Sequence, residues 1–91
     1  MKYIRVNWHH NFPDEPVLLY SEIDEDRYEV RKVEVYRDGR CDFADAVSST
    51  GTTMLGEIPT PALEEIREEG GFEPVEIGAD EFEMMWKKAC S

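Results

Sequence analysis

His9 and His10 stand side by side, with Asp14 and Glu15 a few residues further on, and no other histidine occurs in the chain. Imidazoles beside carboxylates are the raw material of proton transfer and of metal binding. A metal site needs three or four converging ligands, with each imidazole neutral. Neither an HExxH spacing nor a CxxC pair is present. Successive strand residues face opposite sides, so a His9 still on the preceding strand would point away from His10, and the two would not share an ion. The expectation is no metal, no cofactor and no catalytic residue, with the pair serving loop packing and surface polarity. An enzyme built on the His9–His10 loop is the third and last of the functional readings.

A second constellation lies on the strands. Arg5, Asn7 and His9 alternate along the first strand-like segment. If that segment lay beside the one carrying Lys32 and Tyr36, the five, with His10 at the end, would make a cationic and aromatic patch. Guanidinium and ammonium groups recognise phosphates and carboxylates through paired hydrogen bonds. Such a patch would hold a small, nucleotide-like anion. The plainer reading is a solvated face with charge pairs to Glu29, Glu34 and Asp42. Trp8 and Phe12 have the character of contact residues beside a stiff loop, although Trp8 also fits a core and Phe12 a pin for the loop. The run Ser48, Ser49, Thr50, Thr52 and Thr53 matches no phosphate-binding fingerprint and reads as a flexible loop.

These residues depend on strands to place them. Residues 2–9 alternate, with Ile4, Val6 and Trp8 on one side and Tyr3, Arg5, Asn7 and His9 on the other. Pro13 and Pro16 make residues 10–16 a stiff surface loop. Residues 17–23 form a second strand, apolar enough on both sides to be central. The strongest local signal is 28–46, a Val- and Tyr-rich alternation turned at Asp38-Gly39. A two-residue turn would mix apolar and charged groups on both faces. A three-residue turn, Arg37-Asp38-Gly39 with Gly39 left-handed, pairs Tyr36 with Arg40, Val35 with Cys41 and Val33 with Phe43. Burial selects the second register, because a one-residue slip exchanges the faces. Its cost is Glu34 opposite Asp42, on a face expected to be wet.

Residues 54–58 read as a brief extended segment. Thr60-Pro61 reads as a helix start, Thr as cap and Pro as first helical residue, and Gly70-Gly71 as its stop. Residues 72–77 are extended, with Pro74 restricting them to an edge. A final helix begins near Gly78, where Ile77 and Phe82 would staple its first turn. Its apolar stripe is Phe82, Met85, Trp86 and Ala89.

Ninety-one residues make one domain, 1–91, and the formal charge is −11, from 21 acids and 10 bases. That charge argues against binding a nucleic-acid backbone and against anionic membranes. It suits a basic protein partner, although solubility alone would also explain it. No segment approaches a membrane span, nor is there a secretory signal at Met1. Cys41 and Cys90 suggest reduced thiols and a cytoplasmic location.

Taken together, the runs VNWHHNFPDEPVLLYSEID, RKVEVYRDGR, LGEIPTP, FEPVEI and FEMMW resemble a family of short bacterial proteins defined by a domain of unknown function. The resemblance spans nearly the whole chain. It implies no activity and no catalytic residue. Gly78 stands where a Ser or Thr cap would be expected in relatives. By size and charge alone, such proteins are similar to immunity proteins, antitoxins and phage counter-defence factors.

The expected fold is α+β: an antiparallel sheet of four to five strands with two helices packed on one face. The expected function is a non-enzymatic, immunity- or inhibitor-like interaction module that turns acidic side chains to a basic partner. The alternative is the small-anion binder using Arg5, Asn7, His9, His10, Lys32 and Tyr36. An exposed edge strand at either end of the sheet would invite a homodimer.

Overall fold

A computed structural model, which describes residues 1–91, carries five strands and two helices. They are β1 (Lys2–Trp8), β2 (Leu18–Ile23), β3 (Glu29–Val35), β4 (Cys41–Ala44), α1 (Leu63–Glu68), β5 (Phe72–Ile77) and α2 (Ala79–Cys90). All five strands join one antiparallel sheet in the order β4-β3-β2-β1-β5. The class and the strand count are those expected. β1 to β4 form a meander, and the chain then recrosses the sheet to lay β5 beside β1.

The hairpin has the three-residue turn. Val33 opposes Phe43, Val35 opposes Cys41 and Glu34 opposes Asp42. Tyr36 N–H donates to the Arg40 carbonyl at 2.8 Å. Gly39 takes φ +91°, a left-handed conformation that glycine adopts without strain. Parity then puts Val33, Val35, Cys41 and Phe43 on one face. Arg31 shares that face, with Leu18, Tyr20 and Glu22 of β2 and Tyr3, Arg5 and Asn7 of β1.

α2 covers this face. Gly78 is its cap residue, and Ile77 and Phe82 lie in one apolar cluster, as the staple requires. Phe82 and Val33 have no exposed surface and meet Tyr20, while Met85, Trp86 and Ala89 continue the contact. Arg31 threads under the helix. Its guanidinium sits 4.9 Å from the Phe82 ring centre and 5.0 Å from that of Trp86. It donates to Glu22 and to Glu83, each at 2.6 Å. Those bonds hold both carboxyls below the usual carboxylate range and push Arg31 up. Hydrogen bonding to Glu22 in turn raises the Tyr3 phenol.

The two helices do not share a face. Residues 45–71 recross on the opposite side, where Ile66 of α1 borders a groove floored by Ile4, Val6 and Leu19. The physical reason lies in the connections: β4 and β5 are the two edges, so the β4–β5 crossing must traverse one face, and α2 takes the other. α1 also starts later than Thr60. Its cap residue is Ala62, and no side chain caps it. Arg27 holds the preceding turn instead, donating to the carbonyls of Thr60 and Pro61 at 2.8 Å each, while Thr60 N–H donates to the Arg27 carbonyl. Residues 54–58 form no strand.

The hairpin's outer face is not wet. Residues 48–53, read as a flexible loop, are strapped across it together with the segment that follows them. Thr53 is buried and its hydroxyl donates to Glu34, while the Thr50 hydroxyl donates to Asp42 at 3.0 Å. The like-charged pair thus receives one hydroxyl each. Lys32 donates to the Met54 carbonyl, and Gly56 N–H to Glu29. Gly51 has φ +57°, and a Cβ there would lie 2.6 Å from Asp42 Oδ2, so the strap needs glycine at its closest approach.

Both sheet edges are partly stopped. Thr50 takes both backbone groups of Phe43 on β4, through its amide at 2.9 Å and its hydroxyl at 3.0 Å. On β5, Pro74 has no N–H to offer, and its carbonyl accepts from Arg67 at 3.0 Å.

Candidate functional site

The six residues singled out in the sequence do not converge. β2 separates β1 from β3, so the condition for the cationic patch is not met. Parity separates them further. Arg5 and Asn7 face α2, whereas Lys32 lies under the strap. Arg5 donates to Glu81 at 2.6 Å, and Lys32 sits 3.0 Å from Glu29. Tyr36 is buried beneath the Arg40 guanidinium, 4.2 Å from its ring centre. The geometry therefore removes the basis for one anion held by Arg5, His9, Lys32 and Tyr36 together.

Asn7, His9 and His10 do meet, at the end of β1. With Trp8, Asn11, Val17, Leu18 and Arg37 they line an open cleft of about 560 Å³. The two imidazoles serve different elements. His9 Nε2 lies 3.3 Å from Glu73 of β5, and both side chains are well exposed. His10 Nδ1 accepts from the Phe12 amide at 3.0 Å, and Nε2 lies 2.8 Å from the Pro16 carbonyl. An amide N–H must donate and a carbonyl must accept. His10 is therefore the neutral tautomer with its proton on Nε2. Both ring nitrogens close the loop, so neither is free to ligate or to carry a proton for a substrate. No three His, Cys, Asp or Glu side chains come together to hold a metal ion.

An aromatic cluster stands where these bonds fix it. The Trp8 ring centre lies 4.2 Å from His10, 5.5 Å from Phe72 and 6.4 Å from Phe12. Trp8 pairs with Phe72 across the β1–β5 ladder, and His9 N–H donates to the Gly71 carbonyl at 2.7 Å. Arg37 donates to the His10 carbonyl at 2.7 Å. A second cleft, of about 430 Å³, opens on the other side of Trp8 and is lined by Phe12, Pro13, Asp14 and Glu15. Phe12 is 59% exposed. Sequence reasoning found Trp8 and Phe12 but missed Phe72 and Arg37. They join the site only through the β1–β5 pairing and the hairpin turn, and no local signal announces either.

Charge is sorted across the molecule. The six Arg and Lys side chains between Arg5 and Arg40 all have partners within the chain: Arg5, Arg27, Arg31, Lys32 and Arg37 donate, and Arg40 stacks on Tyr36. The acids are left over elsewhere. From Glu57 to Glu76, along α1 and β5, seven glutamates stand against Arg67 alone. All seven are exposed, and Arg67 is occupied by Pro74. Glu73, next to Phe72 in β5, pairs with Asn7 in the ladder and lies 3.3 Å from His9.

The fold and site define a small acidic α+β domain. It belongs to the family described as "Domain of unknown function (DUF6881)", which matches residues 2–91. No curated protein and no solved structure matches the chain.

Proposed function

We propose that the protein is a non-enzymatic interaction module of the inhibitor or immunity kind, working in the cytoplasm and offering an acidic surface to a basic protein partner. The observation that carries this reading is the sorting of charge. Internal contacts occupy the cations of residues 5–40, while seven exposed glutamates lie between Glu57 and Glu76, five of them on α1 and β5, with one engaged arginine among them. Unpaired surface acids speed encounter with a basic partner and reject acidic ones. Commitment of both His10 ring nitrogens to the loop supports a role other than catalysis.

The test is affinity capture from native lysate at low and high salt, with a Glu64→Lys, Glu65→Lys, Glu68→Lys, Glu69→Lys variant alongside. The expected partner is basic, is released as salt rises, and is not captured by the variant. A partner held equally at both salts, and equally by the reversed surface, would overturn the reading.

A further inference from the structure

The geometry points to the cleft between Trp8 and Phe12 as the receptor for an arginine side chain presented by a protein partner. The inference rests on the acidic-surface reading for the kind of partner, and adds where that partner anchors. Five residues line the cleft: Trp8, Phe12, Pro13, Asp14 and Glu15. Neither carboxylate has a cation or a hydrogen-bond donor within the chain.

The molecule already uses the same set of groups once. Under α2, the Arg31 guanidinium lies against one Phe and one Trp and donates to two carboxylates. The loop after β1 offers a Phe, a Trp and two carboxylates, with no guanidinium of the chain among them. Arg37 does not supply it. That side chain lines the cleft on the other side of Trp8 and is held by the His10 carbonyl.

Arginine suits the cleft better than lysine, because a planar guanidinium stacks on a ring face while its edge bonds a carboxylate in a fork. The loop is also prepared. His10 ties it to Pro16, Phe12 N–H ties it to His10, and Pro13 and Pro16 restrict the backbone. A receptor formed in advance loses little freedom on binding. Phe72, which stacks beside Trp8, begins β5, so an arginine seated here would bring a basic neighbourhood towards the glutamates of α1 and β5.

The two tryptophans supply the assay, one in the cleft and one beside Arg31. The full chain, labelled with ¹⁵N, is titrated with a blocked glycyl-arginyl-glycine peptide while both indole N–H signals are followed. The control is the same peptide with citrulline, which keeps the shape and removes the charge. The Trp8 signal is expected to move saturably with the arginine peptide, with Trp86 still and citrulline without effect. Asp14→Asn with Glu15→Gln should weaken the response several-fold, and Phe12→Ala should abolish it, with the Trp86 signal reporting an intact fold. An equal response to citrulline, parallel movement of both indoles, or no movement of Trp8 would overturn the inference. The α1 charge reversal separates the two ideas. If capture of a basic partner is salt-sensitive but the peptide leaves Trp8 unmoved, the cleft is refuted and the surface stands. If the peptide binds but capture ignores the reversal, the surface is refuted and the cleft stands.

Discussion

The two faces of the sheet are closed by different chemistry. Under α2 the contact is apolar and aromatic, centred on Phe82 and Val33, with one guanidinium enclosed among rings. Under the strap, hydroxyls and amides of residues 50–56 meet the carboxylates of Glu29, Glu34 and Asp42. The first face draws its stability from area removed from water, the second from internal hydrogen bonds that replace those to water. A helix face can be replaced by another apolar face of similar shape. A strap of this kind works only with the particular donors it carries.

Truncating each face should separate them. Phe82→Ala should be the most damaging change, costing about 3–5 kcal/mol, much of the roughly 5–15 kcal/mol available to a domain of this kind. Urea unfolding would measure it, and a loss equal to that of a strap variant would erase the contrast. Arg31→Met should cost about 2 kcal/mol, because Glu22 is left under the helix without its partner. Thr53→Val should cost about 1–2 kcal/mol, with faster amide exchange confined to residues 50–56. Gly51→Ala should cost about 1 kcal/mol, from its positive φ and the crowding of Asp42.

Acid should also act unequally. Glu22 and Glu83 are held below the usual carboxylate range by Arg31, and Asp45 by the backbone amides of Ser48 and Val47. A lowered folded value gives stability that is present above the ordinary carboxylate range, about pH 4, and is lost as pH falls through the folded values. In wild type, stability measured from neutral pH down to acid should therefore decline below about pH 4. In Arg31→Met that decline should be shallower. Tyr3, raised by Glu22, works in the other direction: its contribution is present below pH 10 and lost above it.

The α2 face was legible because its signals are local. Alternation chose the Val33–Phe43 register, and the spacing of Phe82, Met85, Trp86 and Ala89 marked the helix stripe. The strap was not legible. Ser, Thr and Gly carry no period, and the hydroxyl partners of Glu34 and Asp42 lie 8 to 19 residues away. Thr60 read as a helix cap because nothing in its own neighbourhood reveals that Arg27, 33 residues earlier, holds its carbonyl. At the candidate site, the proline-stiffened loop and the separate directions of His9 and His10 could be anticipated. The proposed joining of Arg5 to Lys32 failed on strand order, because the meander lays β2 between β1 and β3.

The stops at Phe43 and Pro74 have a consequence for assembly. A foreign chain seeking to add itself as a sixth ribbon finds Thr50 already seated on one flank, and a missing donor with an occupied acceptor on the other. Templated growth into fibres is blunted at those two positions.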